Sequence, residues 1–87
     1  MKRYWFEFHF NDDNKIPYGL LIGCGVTAFS YEDAIQIIQE KIFAVKKIPE
    51  IKKKIEAVDV SNLDQDHVIP NMRPPTERGV WFPIGYN

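Results

Sequence analysis

The sequence predicts an α+β fold: a small antiparallel sheet in the order β-β-α-β, one amphipathic helix on its aromatic face, and a C-terminal strap rich in proline and aromatic residues. Three observations carry this. "RYWFEFHF" near the N-terminus alternates strictly, "SYEDAIQIIQEKIFAV" has helical apolar spacing behind a capping serine, and Pro70, Pro74, Pro75 and Pro83 stand among Trp81, Phe82 and Tyr86 near the end. No repeat or linker divides residues 1–87, which read as a single domain.

In the first strand Tyr4, Phe6, Phe8 and Phe10 point one way, towards the core, and Trp5, Glu7 and His9 the other. "NDDNKIPYG" is a turn-rich connection. "LLIGCGVTA" is the second strand, with Leu20, Ile22, Cys24, Val26 and Ala28 on one face and Leu21, Gly23, Gly25 and Thr27 on the other. Two glycines leave that second face bare, which suits a bulge or the close approach of another segment or ligand. Ser30 caps a helix whose first turn holds Glu32 and Asp33. Ala34, Ile35, Ile38, Ile42 and Val45 form its stripe, widened by Ile37 and Phe43, and it ends near Ala44 to Lys46, ahead of Pro49. In "IKKKIEAVDV" both periods are present, and a strand from Ile55 to Val60 is favoured. "SNLDQDH" forms one turn capped by Ser61, and "GVWFPIGY" is a short edge strand or a tail laid on the core.

A chain of 87 residues buries only about 60–65 % of its unfolded surface. Six Phe, four Tyr and two Trp offset that, since each ring buries about 150–250 Å². Rings used for packing leave little volume for a deep site, and self-association as a homodimer would supplement the core. The single cysteine, Cys24, excludes an internal disulfide, and no Cys/His spacing suits structural zinc. No run approaches the roughly 18 apolar residues of a membrane span, and the N-terminal run, interrupted by Glu7 and His9, is no signal segment. A cytoplasmic location and no membrane partner are expected.

Charge is nearly balanced at −1 but unevenly placed. Lys41 to Lys54 holds six lysines and one glutamate, whereas Glu56 to Asp66 holds four acids and no lysine or arginine. A solvated face beside an acidic loop explains this more simply than a bipolar binding surface. The lysines invite a nucleic-acid reading, but the aromatics lie mostly on a core-facing strand and the net charge is negative, so nucleic acid is disfavoured.

Candidate chemistry is sparse. Cys24, among Leu20, Ile22 and Val26, reads as a buried apolar thiol. His9 and Glu7 become a polar site with His67 only if the strap covers their face. Asp64, Asp66 and His67 are weak candidates for a divalent metal, short of a zinc motif or a calcium loop. Asp64 accepting backbone amides in a turn, with His67 packed under Pro70, is the more economical account, and no cofactor is expected. Prolines reduce the entropy lost on ordering an irregular strap, and its Trp, Tyr and Arg residues suit an interaction surface. Trp81, Tyr86, Arg73 and Arg78 are the expected partner contacts, with the two arginines also as polar anchors.

"YWFEF", "GCGVTAFSYEDA", "LDQDHVIPNM" and "RGVWFPIGY" together resemble segments of a group of short bacterial proteins of uncharacterised function. The resemblance runs over nearly the whole chain. It implies a bacterial, soluble, single-domain protein and brings no activity, ligand or catalytic residue with it. The expected function is a non-enzymatic protein-binding module of the immunity or inhibitor type, by analogy of size and class. The alternatives are a small enzyme or metal-binding protein using His67, Asp64, Asp66 and His9, and a basic-face nucleic-acid binder.

Overall fold

The computed structural model describes residues 1–11 and 16–86. The turn-rich connection expected over 11–19 therefore lies partly outside the described residues. Strands β1 (Lys2–Phe8), β2 (Cys24–Ala28), β3 (Ile51–Ile55) and β4 (Gly79–Phe82) form one antiparallel sheet in the order β3-β1-β2-β4. Helix α1 (Tyr31–Ile38) follows β2, so the β-β-α-β order holds and β4 is the edge strand contributed by the tail.

Both faces of the sheet are covered. Tyr4, Phe6 and Phe8 of β1 and Val26 of β2 meet Ala34, Ile37 and Ile38 of α1 in one core. Trp5, on the opposite face, meets Trp81, Phe82, Val58 and Val68, with Leu63 and Met72 packed around them. The irregular chain between β3 and β4 is thus the strap. Thr27 Oγ1 donates to the carbonyl of Pro75 (2.7 Å) and the Arg73 amide to the carbonyl of Trp81 (2.8 Å), which tie it down.

The glycines of β2 explain how the strap face closes. A Cβ on Gly25 would lie 2.4 Å from the Trp81 ring, and one on Gly23 would lie 2.3 Å from the Trp5 ring. Each indole occupies the space a side chain would need. Gly23 also has φ +150, which confines that position to glycine on backbone grounds.

Each edge strand carries a bulge that changes which face its residues serve. Val80 pairs with Val26 and Phe82 with Gly25, so Trp81 is the extra residue. Val80 consequently joins the helix-side core while the consecutive Trp81 and Phe82 both join the strap-side core. In β3 Phe8 pairs with Ile51 and Glu7 with Lys53, making Lys52 the extra residue. Ile51 then packs on the helix side and Ile55 on the strap side, which regular alternation forbids.

Four local expectations are corrected. The third strand is Ile51–Ile55 and not Ile55 to Val60, because its two isoleucines reach the core through the bulge while Lys52, Lys53 and Lys54 stay in water. The second strand starts at Cys24; positive φ at Gly19 (+82) and Gly23 (+150) coils the preceding residues, leaving Leu20 buried but Ile22 and Leu21 exposed. Ser30 caps α1 as expected, its Oγ accepting from the Asp33 amide, but the helix widens into a π turn over Gln39–Phe43 and leaves helical geometry at Ala44 (φ 52). That added residue per turn buries Phe43 and puts Val45 wholly in solvent. The turn after β3 is capped by Asp59, whose Oδ1 accepts from the Ser61 amide and hydroxyl, so Ser61 is capped and does not cap.

Replacing Gly25 with Ala is expected to destabilise the fold by about 1–3 kcal/mol or more through overpacking against Trp81. Trp81→Leu alone is expected to cost about 3 kcal/mol. The double variant should lose clearly less than the sum, because the smaller side chain vacates the space of the new methyl group. Urea unfolding of the four proteins measures this, and strict additivity would contradict the contact.

Candidate functional site

Two hollows lie side by side on the strap face. A cleft of about 410 Å³ is floored by Trp5, Ile55, Val58, Leu63 and Val68 and bordered by Glu7, Lys53, Asp59 and Asp64. A groove of about 390 Å³ is lined by Tyr18, Ile22, His67, Asn71, Phe82, Pro83 and Ile84. Ile22 borders both, so the two form one continuous surface.

The groove is held by its own chain. A Cβ on Gly19 would stand 2.7 Å from Pro83, so the turn before β2 sits directly against the residue that follows β4. The Tyr86 hydroxyl donates to the carbonyl of Tyr18 (3.0 Å), closing the same junction. Around it Tyr18 (84 %), Ile84 (54 %) and Ile22 (40 %) are exposed. Such a concentration of large apolar side chains on one rim differs from the scattered exposure normal on monomer surfaces.

The cleft is polar at its mouth and ordered. Trp5 Nε1–H donates to Glu7 Oε2 (3.0 Å), fixing the carboxylate beside the indole. Asp64 Oδ1 accepts from the amides of Asp66 (2.8 Å) and His67 (3.1 Å), and its Oδ2 meets His67 Nδ1 at 3.0 Å. These bonds, the Asp66 amide foremost, hold the Asp64 carboxyl below its usual range, and the Ser61 hydroxyl and amide do the same for Asp59.

The residues singled out from the sequence are distributed differently from expectation. Trp81 is not a surface contact: its ring is 1 % exposed, and its Nε1–H is buried without a hydrogen-bond partner. Arg73 is half-buried and acts through its backbone bond to Trp81. Arg78 is a structural anchor, its Nε donating to Asp33 Oδ2 (2.9 Å) and its Nη2 to Oδ1, with the guanidinium 5.7 Å from the Phe29 ring. Tyr86 is half-buried at the groove junction, and burial raises its phenol above the usual range. Ile84, in the tail beyond β4, is exposed.

Asp64 caps a turn as expected, but His67 is exposed and does not pack under Pro70. Asp66 reaches the pair only through its backbone amide, and among the described residues no group of three His, Cys, Asp or Glu side chains could share a metal. His9 lies in a separate hollow with Asn11, Lys47 and Glu50, so Glu7, His9 and His67 border three different recesses. The lysines at 52, 53 and 54 occupy an exposed edge strand, where they oppose edge-to-edge pairing. Among the described residues, no helix is long and apolar enough to cross a membrane.

The groove was not found from sequence because Ile22 reads as a strand residue on the face of Leu20 and Cys24. The one available signal was the glycine spacing at Gly19, Gly23 and Gly25, which marks a coiled and closely approached segment. Compared with known proteins, the chain matches no family model, no curated protein and no solved structure.

Cys24 is fully buried, and burial pushes its thiol far above the usual range. It should resist thiol reagents in the native state and react promptly in denaturant; rapid native labelling would contradict this placement. The Arg78 hydrogen bond, more than the Phe29 amide bond, lowers the Asp33 carboxyl to about 2. A depressed carboxylate stabilises the fold fully above its unfolded value of about 3.9, and the contribution is lost as pH falls through about 2. Asp33→Asn should therefore melt with a shallower decline than wild type between those two values. Parallel decline of the two melting curves would contradict a pair that matters.

Proposed function

We propose that this protein is a non-enzymatic protein-binding module of the immunity or inhibitor type, a bacterial cytoplasmic protein akin to the short proteins its segments resemble. The observation that carries the reading is the exposed rim of Tyr18, Ile22 and Ile84 around a groove already held by Gly19, Pro83 and Tyr86. A rigid apolar surface loses little entropy on binding, so its buried area converts to affinity efficiently. The adjoining cleft adds three carboxylates and one ammonium, Glu7, Asp59, Asp64 and Lys53, which give the surface a negative flank. Charge complementarity therefore favours a partner protein with an apolar patch beside basic residues. Tyr86 closes the groove junction through its bond to Tyr18, and Trp81 is buried in the core of the same face. The lysines on β3 disfavour a second copy paired through that edge.

The test is site-specific photocrosslinking in the native host from position 18 or 84, with position 52 on the far edge as control. The expected result is one common adduct with a different protein from positions 18 and 84, absent from position 52. Introducing Asp at the other groove position should abolish it without changing the melting temperature, because exposed substitutions shift stability by only about 0.5 kcal/mol. A self-adduct would replace the heterologous partner with a second copy. No adduct from a folded protein would overturn the reading.

A further inference from the structure

We infer that the cleft beside the groove receives the cationic end of an arginine or lysine side chain of the partner protein, an inference that rests on the protein-binding reading above. A long basic side chain is an apolar stem with a charged tip and needs both kinds of surface to be desolvated without loss. The cleft offers both: Trp5, Val58 and Leu63 form part of its floor, and Glu7, Asp59 and Asp64 stand at its border. Its volume, about 410 Å³, accommodates one such side chain with accompanying water.

The carboxylates are oriented before any ligand arrives. Glu7 is held by the Trp5 indole, Asp59 by Ser61, and Asp64 by the amides of Asp66 and His67. Glu7 and Asp59 each use one oxygen in these bonds and keep the other for a cation, while Asp64 uses both, its Oδ2 meeting His67 Nδ1 at 3.0 Å. Lys53, which faces Glu7 across the ladder, is the cleft's own competing cation. It is exposed on an edge strand, and its flexible stem lets the ammonium swing aside for a better-placed charge. Because Ile22 borders both cleft and groove, the occupant of the cleft lies next to whatever fills the groove. That adjacency favours a side chain on a protein surface over a free amine.

The test titrates the full-length ¹⁵N-labelled protein with N-acetyl-arginine amide and, separately, with its uncharged isostere N-acetyl-citrulline amide. The Trp5 indole Nε1–H signal is the readout. The arginine probe is expected to shift this signal with millimolar affinity, as befits a single side chain, and the citrulline probe several-fold more weakly. Glu7→Gln retains an acceptor for the indole N–H but removes the charge, and should weaken arginine binding about two- to fivefold. Lys53→Ala removes the competitor and should tighten it by a similar factor. Equal responses to the two probes, no response of Trp5, or affinities unchanged in both variants would overturn the inference. The titration reads the cleft and the crosslinks read the groove. An unresponsive cleft with intact crosslinks defeats only this inference; an arginine response without crosslinks upholds the cleft's preference and defeats the partner reading.

Discussion

The structure depends on two indoles lying against bare glycine backbone. Trp5 and Trp81 occupy the space above Gly23 and Gly25 with ring centroids 6.1 Å apart, and Phe82 stands 5.7 Å from Trp5. In so short a chain one helix can cover only one face of the sheet, so the other must be closed by irregular chain. A strap has few apolar residues to offer, and the rings bring the area instead. Burying one ring is worth about 4–6 kcal/mol at 25 cal/mol per Å², against about 1–3 kcal/mol for leaving the Trp81 N–H unpaired. Burial wins, which accounts for a buried indole without a hydrogen-bond partner.

The bulges are the second consequence of size. A regular edge strand gives alternate residues to each core, too few for two cores fed by four short strands. By inserting Lys52 and Trp81, β3 and β4 each supply side chains to both layers. The same distortions spoil the edges as templates for pairing, and on β3 three consecutive lysines reinforce that. With the edges blunted and α1 packed, the strap face keeps a formed groove with exposed Tyr18, Ile22 and Ile84 to meet another molecule.

Much of the fold was legible in the sequence, and most of the site was not. Strict alternation in β1 and the Ser30 cap are local signals whose tertiary context agrees with them, and they located the aromatic core and α1. The bareness of Gly23 and Gly25 correctly implied close approach, though nothing in the spacing says that Trp5 and Trp81 make it. The bulges were invisible: they shift parity, so the alternation of Val58 and Val60 drew the third strand to Ile55 to Val60 and left Ile51 outside it. Val45 failed for a related reason, since a π turn adds a residue that helical spacing does not count. Each miss reflects a residue inserted into a regular repeat by long-range packing.

Those misses bear on function because they exchanged the inside for the outside. Trp and Arg in a proline-rich tail suggest binding hot spots, yet Trp81 is spent on the core and Arg78 on Asp33 at the start of α1. Tyr18, Ile22 and Ile84, which composition would assign to the interior, are held in water by contacts at Gly19, Pro83 and Tyr86. An exposed Leu adds little to stability, and one alone needs no explanation. Three around a single pre-formed groove are different: they add to the hazard of aggregation and bring the fold no packing in return. Selection for stability alone has no reason to keep them together, whereas a surface that must release water on meeting a partner does.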